Sequence, residues 1–164
     1  MQSEIKEVIW NQFGAAIEML ENAISACPEN VWGNQIGERE FWYLTYHTLF
    51  WLDFYLSDTP VDFNPPKPFT LSEFDPKGAL PDRVYTKEEL LNYLDQSRKK
   101  CKKKIETLTD EFANRKFIFG SINLPVIELL LYNMRHVQHH TAQLNLIFRQ
   151  KINSAPKWVK QSKS

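Results

Sequence analysis

Residues 41–56 are apolar on nearly every side of the helix that their spacing predicts. A helix with so little polar surface must be covered on several sides, by the rest of the chain or by a partner subunit. His47 and Asp53 interrupt the segment, which is also shorter than the ~18 apolar residues that indicate a membrane span. We therefore expect a helix inside a protein core with no membrane insertion, and a homodimer is one way to cover it.

Three further segments have helical patterns, and no strand pattern competes with them. The first predicted helix covers residues 3–26, with Ser3 as its N-cap and Pro28 just beyond its end. The second covers residues 38–57 around the apolar segment. The apolar residues of the first helix recur every three or four positions, which predicts a single buried stripe: Ile5, Ile9, Phe13, Ile17, Leu20 and Ile24.

The third predicted helix begins at a capping box, Thr86-Lys87-Glu88-Glu89, and ends near Leu108. Its inner stripe is Leu90, Leu94, Cys101, Ile105 and Leu108. After a connection over residues 109–123, the fourth predicted helix covers residues 124–150. Pro125 suits its first turn, where a backbone N–H is not needed.

A proline-rich connection over residues 58–85 separates the second and third helices, and its prolines exclude a helix there. A loop this long can carry the chain along the whole bundle, so that both helices run in the same direction. The prediction is an all-α, four-helix bundle with a long crossover connection between helices 2 and 3. The bundle would take residues 1–150, followed by a loosely held, basic and polar tail over residues 151–164.

The charge balance gives no reason to expect a nucleic acid or an anionic membrane as a partner. The chain has 20 basic and 20 acidic residues. Six positive charges lie within residues 98–104, a pattern typical of a solvated helix face. The alternative is an acidic partner or nucleic acid, but no aromatic residue interleaves the run, so nucleic acid is disfavoured.

The two cysteines, Cys27 and Cys101, lie far apart and form no CxxC motif. We interpret them as free thiols in a reducing cytosol. The N-terminal residues lack a basic segment followed by an apolar run, which gives no indication of a secretory signal. We therefore expect a cytoplasmic protein.

The four histidines carry the chemistry of the sequence. His136 and His140 are four residues apart on the fourth helix, so that both rings lie on one face and can close on one ion. His47, from the middle of the second helix, would be the third ligand. Three neutral imidazoles leave positions open for water or substrate, as in catalytic metal sites. The alternative is that they are core residues, but a buried histidine without a partner carries a desolvation cost that a metal removes.

Several neighbours would complete this site, although plain core packing explains them equally well. His139 is expected to pack or hydrogen-bond beside the ligands. Gln143 lies one turn after His139 and could orient a ligand or a water. Aromatic residues one turn from the ligands would wall the pocket: Tyr43, Trp51 and Tyr132. The sequence assigns no catalytic residue.

Two segments carry a resemblance to a known family. They are FWYLTYHTLFWLD, at residues 41–53, and RHVQHHTAQL, at residues 135–144. Together they resemble the DinB-like superfamily, which includes the YfiT-type metal-dependent hydrolases. The family pattern has one histidine on the second helix and HxxHHxxQ on the last long helix. The chain matches it, over about residues 3–150, at His47, His136, His139, His140 and Gln143.

The resemblance implies a four-helix bundle, commonly a dimer, that holds a divalent metal, usually zinc or nickel, through the three histidines. Characterised members of the superfamily include thiol S-transferases that use mycothiol or bacillithiol, and a maleylpyruvate isomerase. We expect a metal-dependent enzyme of the thiol S-transferase or hydrolase type, acting on a small molecule such as a low-molecular-weight thiol. The alternatives are a non-catalytic, metal-stabilised module that binds a small molecule or a protein, and a basic-faced interaction protein without metal.

Overall fold

The computed structural model describes residues 1–33 and 40–162. The helices are α1 (Ser3–Ala26), α2 (Glu29–Trp32), α3 (Phe41–Tyr55), α4 (Lys87–Glu106), α5 (Asp110–Asn114) and α6 (Val126–Ile152). A small hairpin, β1 (Lys116–Phe119) and β2 (Ile122–Pro125), precedes α6. The four long helices α1, α3, α4 and α6 pack together, which confirms the predicted all-α bundle.

The first helix has the bounds that the sequence predicted, and its apolar stripe faces the core. Phe13, Ile17 and the rest of the stripe are buried, except for Ile5, which is 47% exposed in the first turn. The N-cap residue is Gln2, so Ser3 is the first helical residue and not the cap.

Helices α3 and α4 run in the same direction, as the long connection predicted. Near their common end, Lys100 of α4 pairs with Asp53 of α3, and Lys104 donates to the carbonyl of Leu56. Helix α6 runs antiparallel to α3, because the Asn133 amide donates to the Leu52 carbonyl while Phe148 lies against Phe41 at the other end. The predicted start of the second helix, at residue 38, lies outside the described residues.

The connection over residues 58–85 folds back over α3 and covers its outer face. Phe63 and Phe74 both pack edge-on against Phe50, with ring centroids 5.4 and 5.0 Å away. Phe69 stacks on Tyr46 at 5.9 Å. The apolar helix is thus covered largely within one chain, which removes the reason that its sequence gave for a dimer.

The capping box that begins α4 is present. The Thr86 hydroxyl accepts from the Glu89 N–H, and the Glu89 carboxylate accepts from the Thr86 N–H. The helix ends at Glu106 and not at Leu108. A capping box satisfies two backbone donors that the first helical turn leaves without partners.

Four of the basic residues in the run over residues 98–104 of α4 form ion pairs. Arg98 pairs with Glu21 of α1, Lys99 with Asp95, Lys100 with Asp53 and Lys104 with Asp58. Four of the six positive charges thus have acidic partners, and the pairs of Arg98, Lys100 and Lys104 join α4 to other parts of the chain. The run therefore gives no support to an acidic partner or nucleic acid.

The connection over residues 109–123 contains a short helix and most of a hairpin that the sequence analysis did not predict. Thr109 caps the short helix α5, and β1 pairs antiparallel with β2 in the register Phe119↔Ile122. Gly120, with φ of +56°, begins the two-residue turn between the strands. Pro125 is the last residue of β2 and the N-cap of α6. Helix α6 therefore begins at Val126, and Pro125 lies just before its first turn and not within it.

We expected a loosely held tail over residues 151–164, but the described part of it is bonded to α1. After Asn153, residues 154–162 return along α1, where the Ser162 N–H donates to the Asn11 carbonyl and Gln12 donates to the Lys160 carbonyl.

Both cysteines are buried free thiols. Over residues 1–33 and 40–162, none of the helices combines the length and apolar character that crossing a bilayer requires.

Candidate metal centre

Three histidine rings meet where α3 and α6 cross. The ring centroids of His47 and His136 are 5.4 Å apart, those of His47 and His140 are 4.8 Å apart, and those of His136 and His140 are 4.4 Å apart. One ring nitrogen from each histidine lies within 4.8 Å of the corresponding nitrogens of the others. Each ring is partly exposed, so the cluster lies below the protein surface but remains accessible from outside.

Local structure explains this convergence. His136 and His140 are one turn apart on the same face of α6. The antiparallel packing of α3 on α6 then brings the middle of α3 opposite that face. The buried Asn133, one turn before His136, fixes the alignment through its bond to the Leu52 carbonyl, 3.0 Å away.

Hydrogen bonds orient two of the three rings. His47 Nδ1 lies 2.7 Å from Glu73 Oε2, and His140 Nδ1 lies 2.6 Å from Gln143 Oε1. Since an ionised carboxylate and an amide oxygen only accept, each Nδ1 donates, and Nε2 keeps its lone pair. In its neutral form, each ring therefore has an unprotonated nitrogen free to bind a ligand.

His136 lacks such a partner. Its Nδ1 is buried and makes no hydrogen bond to any of the described residues. Burial, followed by the proximity of His140, His47 and His139, lowers the pKa of His136 to about 3. Burial is also the main reason why the pKa of His140 is lowered. Both imidazoles are therefore neutral at pH 7, the form that binds metals.

These features fit a divalent metal ion. The donor set consists of three imidazoles, which suit zinc, nickel, copper and iron. Burial keeps the His136 imidazole neutral, so one of its ring nitrogens has a lone pair for an ion. The carboxylate and amide that hold His47 and His140 correspond to the outer partners that metal-binding histidines usually have.

The other residues that the sequence suggested surround the cluster at different distances. The His139 ring is exposed, and its centroid is 5.0 Å from that of His140, so it flanks the cluster without entering it. Gln143 bonds His140 directly. The Trp51 ring is 6.3 Å from His47, and Tyr132 reaches the cluster through Tyr55, whose ring is 6.2 Å from His136.

Sequence reasoning missed Glu73, the carboxylate that holds His47. It lies in a 3-10 turn, Ser72–Phe74, in the middle of the crossover, and its side chain is only 5% exposed. Burial alone would raise the pKa of Glu73, but the hydrogen bond from His47, with hydrogen bonds from Tyr43 and Trp51, lowers it below its ordinary value. Phe69 and Phe74 on either side of it, in an otherwise proline-rich loop, were the indication that this segment is packed.

Comparison with known proteins identifies one family. The model of the DinB superfamily matches residues 12–144, a span that contains all three histidines of the cluster. No curated protein matches the chain.

Proposed function

The chain belongs to the DinB superfamily, and from that membership we propose that it holds one divalent metal ion through His47, His136 and His140 and acts as a metal-dependent enzyme. The observation that carries the proposal is the convergence of three ring nitrogens within 4.8 Å of one another from two helices. Zinc or nickel is the proposed metal, because both accept a set of imidazole ligands.

The residues around the cluster have distinct roles in this proposal. A bound divalent ion supplies Lewis acidity, which lowers the pKa of a thiol or water that it coordinates. Glu73 and Gln143 hold His47 and His140 so that each presents Nε2. Tyr55 and Trp51, packed beside the rings, limit the access of bulk water to one side of the cluster.

The proposed reaction is thiol S-transfer or hydrolysis of a small molecule, with a low-molecular-weight thiol as the favoured cosubstrate. Three protein ligands support this reaction class, since they leave coordination positions for an exchangeable group. One observation favours the alternative, a non-catalytic module stabilised by its metal. Glu73 is the one carboxylate that bonds the cluster among the described residues, and it is already engaged by His47 and Trp51.

The metal content of tag-free protein tests the first step. We expect about one transition-metal ion per chain by plasma mass spectrometry, and its loss in a His136→Ala, His140→Ala double variant. His139→Ala is the matched control, because it removes a histidine that flanks the cluster on the same helix but supplies no proposed ligand, and it should keep the metal. Wild-type protein that stays empty after incubation with zinc or nickel would refute the proposed site.

A second experiment separates the enzyme from the binding module. In cobalt-substituted protein, a thiol that enters the coordination sphere changes the visible absorption spectrum. A change with small thiols, absent in the double variant, supports the transferase. If neither thiols nor small acids change the spectrum, the non-catalytic module is the better description.

The homodimer and the cytoplasmic location are also part of the proposal. The dimer rests on the family resemblance, since the crossover covers α3 within one chain. Sedimentation velocity at micromolar concentration tests it, and a purely monomeric protein would contradict it.

A further inference from the structure

The crossover places a buried negative charge directly behind the histidine cluster. Glu73 is 5% exposed, and over the described residues no lysine or arginine forms an ion pair with it. A carboxylate buried without a basic partner is strongly destabilising unless other groups compensate. His47 and Trp51 both donate hydrogen bonds to it, so part of its compensation comes from the cluster.

The two bonds fix the carboxylate and the imidazole together. Both end on the same oxygen of Glu73, from His47 Nδ1 at 2.7 Å and from Trp51 Nε1 at 3.0 Å. Trp51 lies one turn after His47 on α3, so the helix holds both donors at a fixed spacing. The carboxylate therefore selects the His47 tautomer with the proton on Nδ1, and Nε2 keeps its lone pair.

The turn that carries Glu73 is itself anchored on α3. The Tyr46 hydroxyl donates to the Thr70 carbonyl at 2.7 Å and lies 3.2 Å from the Ser72 hydroxyl. Phe74 packs against Phe50 at 5.0 Å on the other side of Glu73. The carboxylate is thus held from both sides and is not a mobile loop residue that happens to lie near His47.

We propose that Glu73 is a positioning residue of the metal centre, which sets the tautomer of His47, adds negative charge behind it and couples the crossover to metal binding. The inference rests on the proposed metal site. It adds to that site a residue from a different part of the chain, 26 positions after His47. Such outer carboxylates orient a histidine ligand and make it a stronger donor to a metal.

The first test measures zinc affinity by competition with a chromophoric chelator. In Glu73→Gln the amide oxygen can still accept from His47, but the charge is lost, and we expect zinc to bind about 10–100-fold more weakly. Glu88→Gln, an exposed position on α4, is the control for the loss of one negative charge and should bind zinc as the wild type does. Circular dichroism of the metal-free variants checks that each is folded.

The second test reads the tautomer without any metal. Two-bond ¹H–¹⁵N spectra of the metal-free protein should show the His47 proton on Nδ1 in the wild type and in Glu73→Gln. In Glu73→Leu, which has no acceptor, this preference should be lost. A wild-type His47 with its proton on Nε2 would overturn the proposal.

The two tests separate the possible failures. If the wild type binds no zinc, the proposed function fails, while the tautomer measurement still decides whether Glu73 positions His47. If the wild type binds zinc and Glu73→Gln binds it equally well, the metal site stands and the role of Glu73 in it is refuted.

Discussion

Replacing His136 with leucine should stabilise the metal-free protein. The substitution removes a buried ring nitrogen that has no hydrogen-bond partner among the described residues, and leucine is close to histidine in volume. An unsatisfied buried polar group costs about 1–3 kcal/mol, and we expect His136→Leu to recover about 1–2 kcal/mol at pH 7. In a chain of this size that raises Tm by roughly 2–8 °C.

The gain should grow in mild acid. The folded protein holds the pKa of His136 at about 3, below the ordinary value of 6.5, so the unfolded chain binds more protons between these two values. Stability therefore falls as pH drops through this window, by at most about 1.4 kcal/mol per pH unit, and levels off below pH 3. His47, His140 and Tyr55 face His136, and a charge on either histidine would oppose its protonation further. His136→Leu should lack this part of the pH dependence.

Zinc should reverse the order of stability. At pH 7, free zinc at about 100 times the dissociation constant stabilises the wild type by about 2.7 kcal/mol, more than the leucine gains at that pH, while the variant has lost a ligand. Urea unfolding with chelator and then with zinc, at pH 7 and pH 5, measures both effects. His139→Leu, at an exposed site on the same helix, should stay within about 0.5 kcal/mol of the wild type in both conditions. If His136→Leu lowers metal-free stability by 1 kcal/mol or more, His136 is a satisfied core residue and the reasoning is wrong.

Three further predictions test the surroundings of the site. Glu89→Ala should lower stability by about 1 kcal/mol at pH 7. Hydrogen bonds from Arg83 hold the pKa of Glu89 at about 2, so the contribution of Glu89 to stability is lost as pH falls from about 4.5 towards 2. Equal urea midpoints for the variant and the wild type at pH 7 would contradict this prediction. Gly14→Ala should speed hydrogen exchange at the Ser162 amide, since the new Cβ would lie 2.6 Å from the Ser162 hydroxyl, and unchanged exchange would show that the tail tolerates it. Zinc should slow hydrogen exchange over residues 70–75 in the wild type but not in Glu73→Leu, and equal slowing in both would argue against coupling through the carboxylate.

Features that depend on near neighbours in sequence were predictable. The stripe from Ile9 to Ile24 repeats at helical spacing and is buried. The capping box at Thr86 and Glu89 joins residues three apart, so its geometry follows from the helix alone. The hairpin was missed although KFIF and INLP flank Gly120 and Ser121, a pattern that favours a two-residue turn.

Which residues can serve as ligands follows from local spacing, because His136 and His140 lie one turn apart on any helix that contains them. The hydrogen-bond partner of His47 and the residues that cover the apolar α3 depend on how distant parts of the chain pack together. Glu73 reaches His47 from the crossover connection, which has no periodic pattern. The same connection packs three aromatic rings against α3: Phe63, Phe69 and Phe74. The position of such a loop depends on packing between distant residues, which local spacing does not encode.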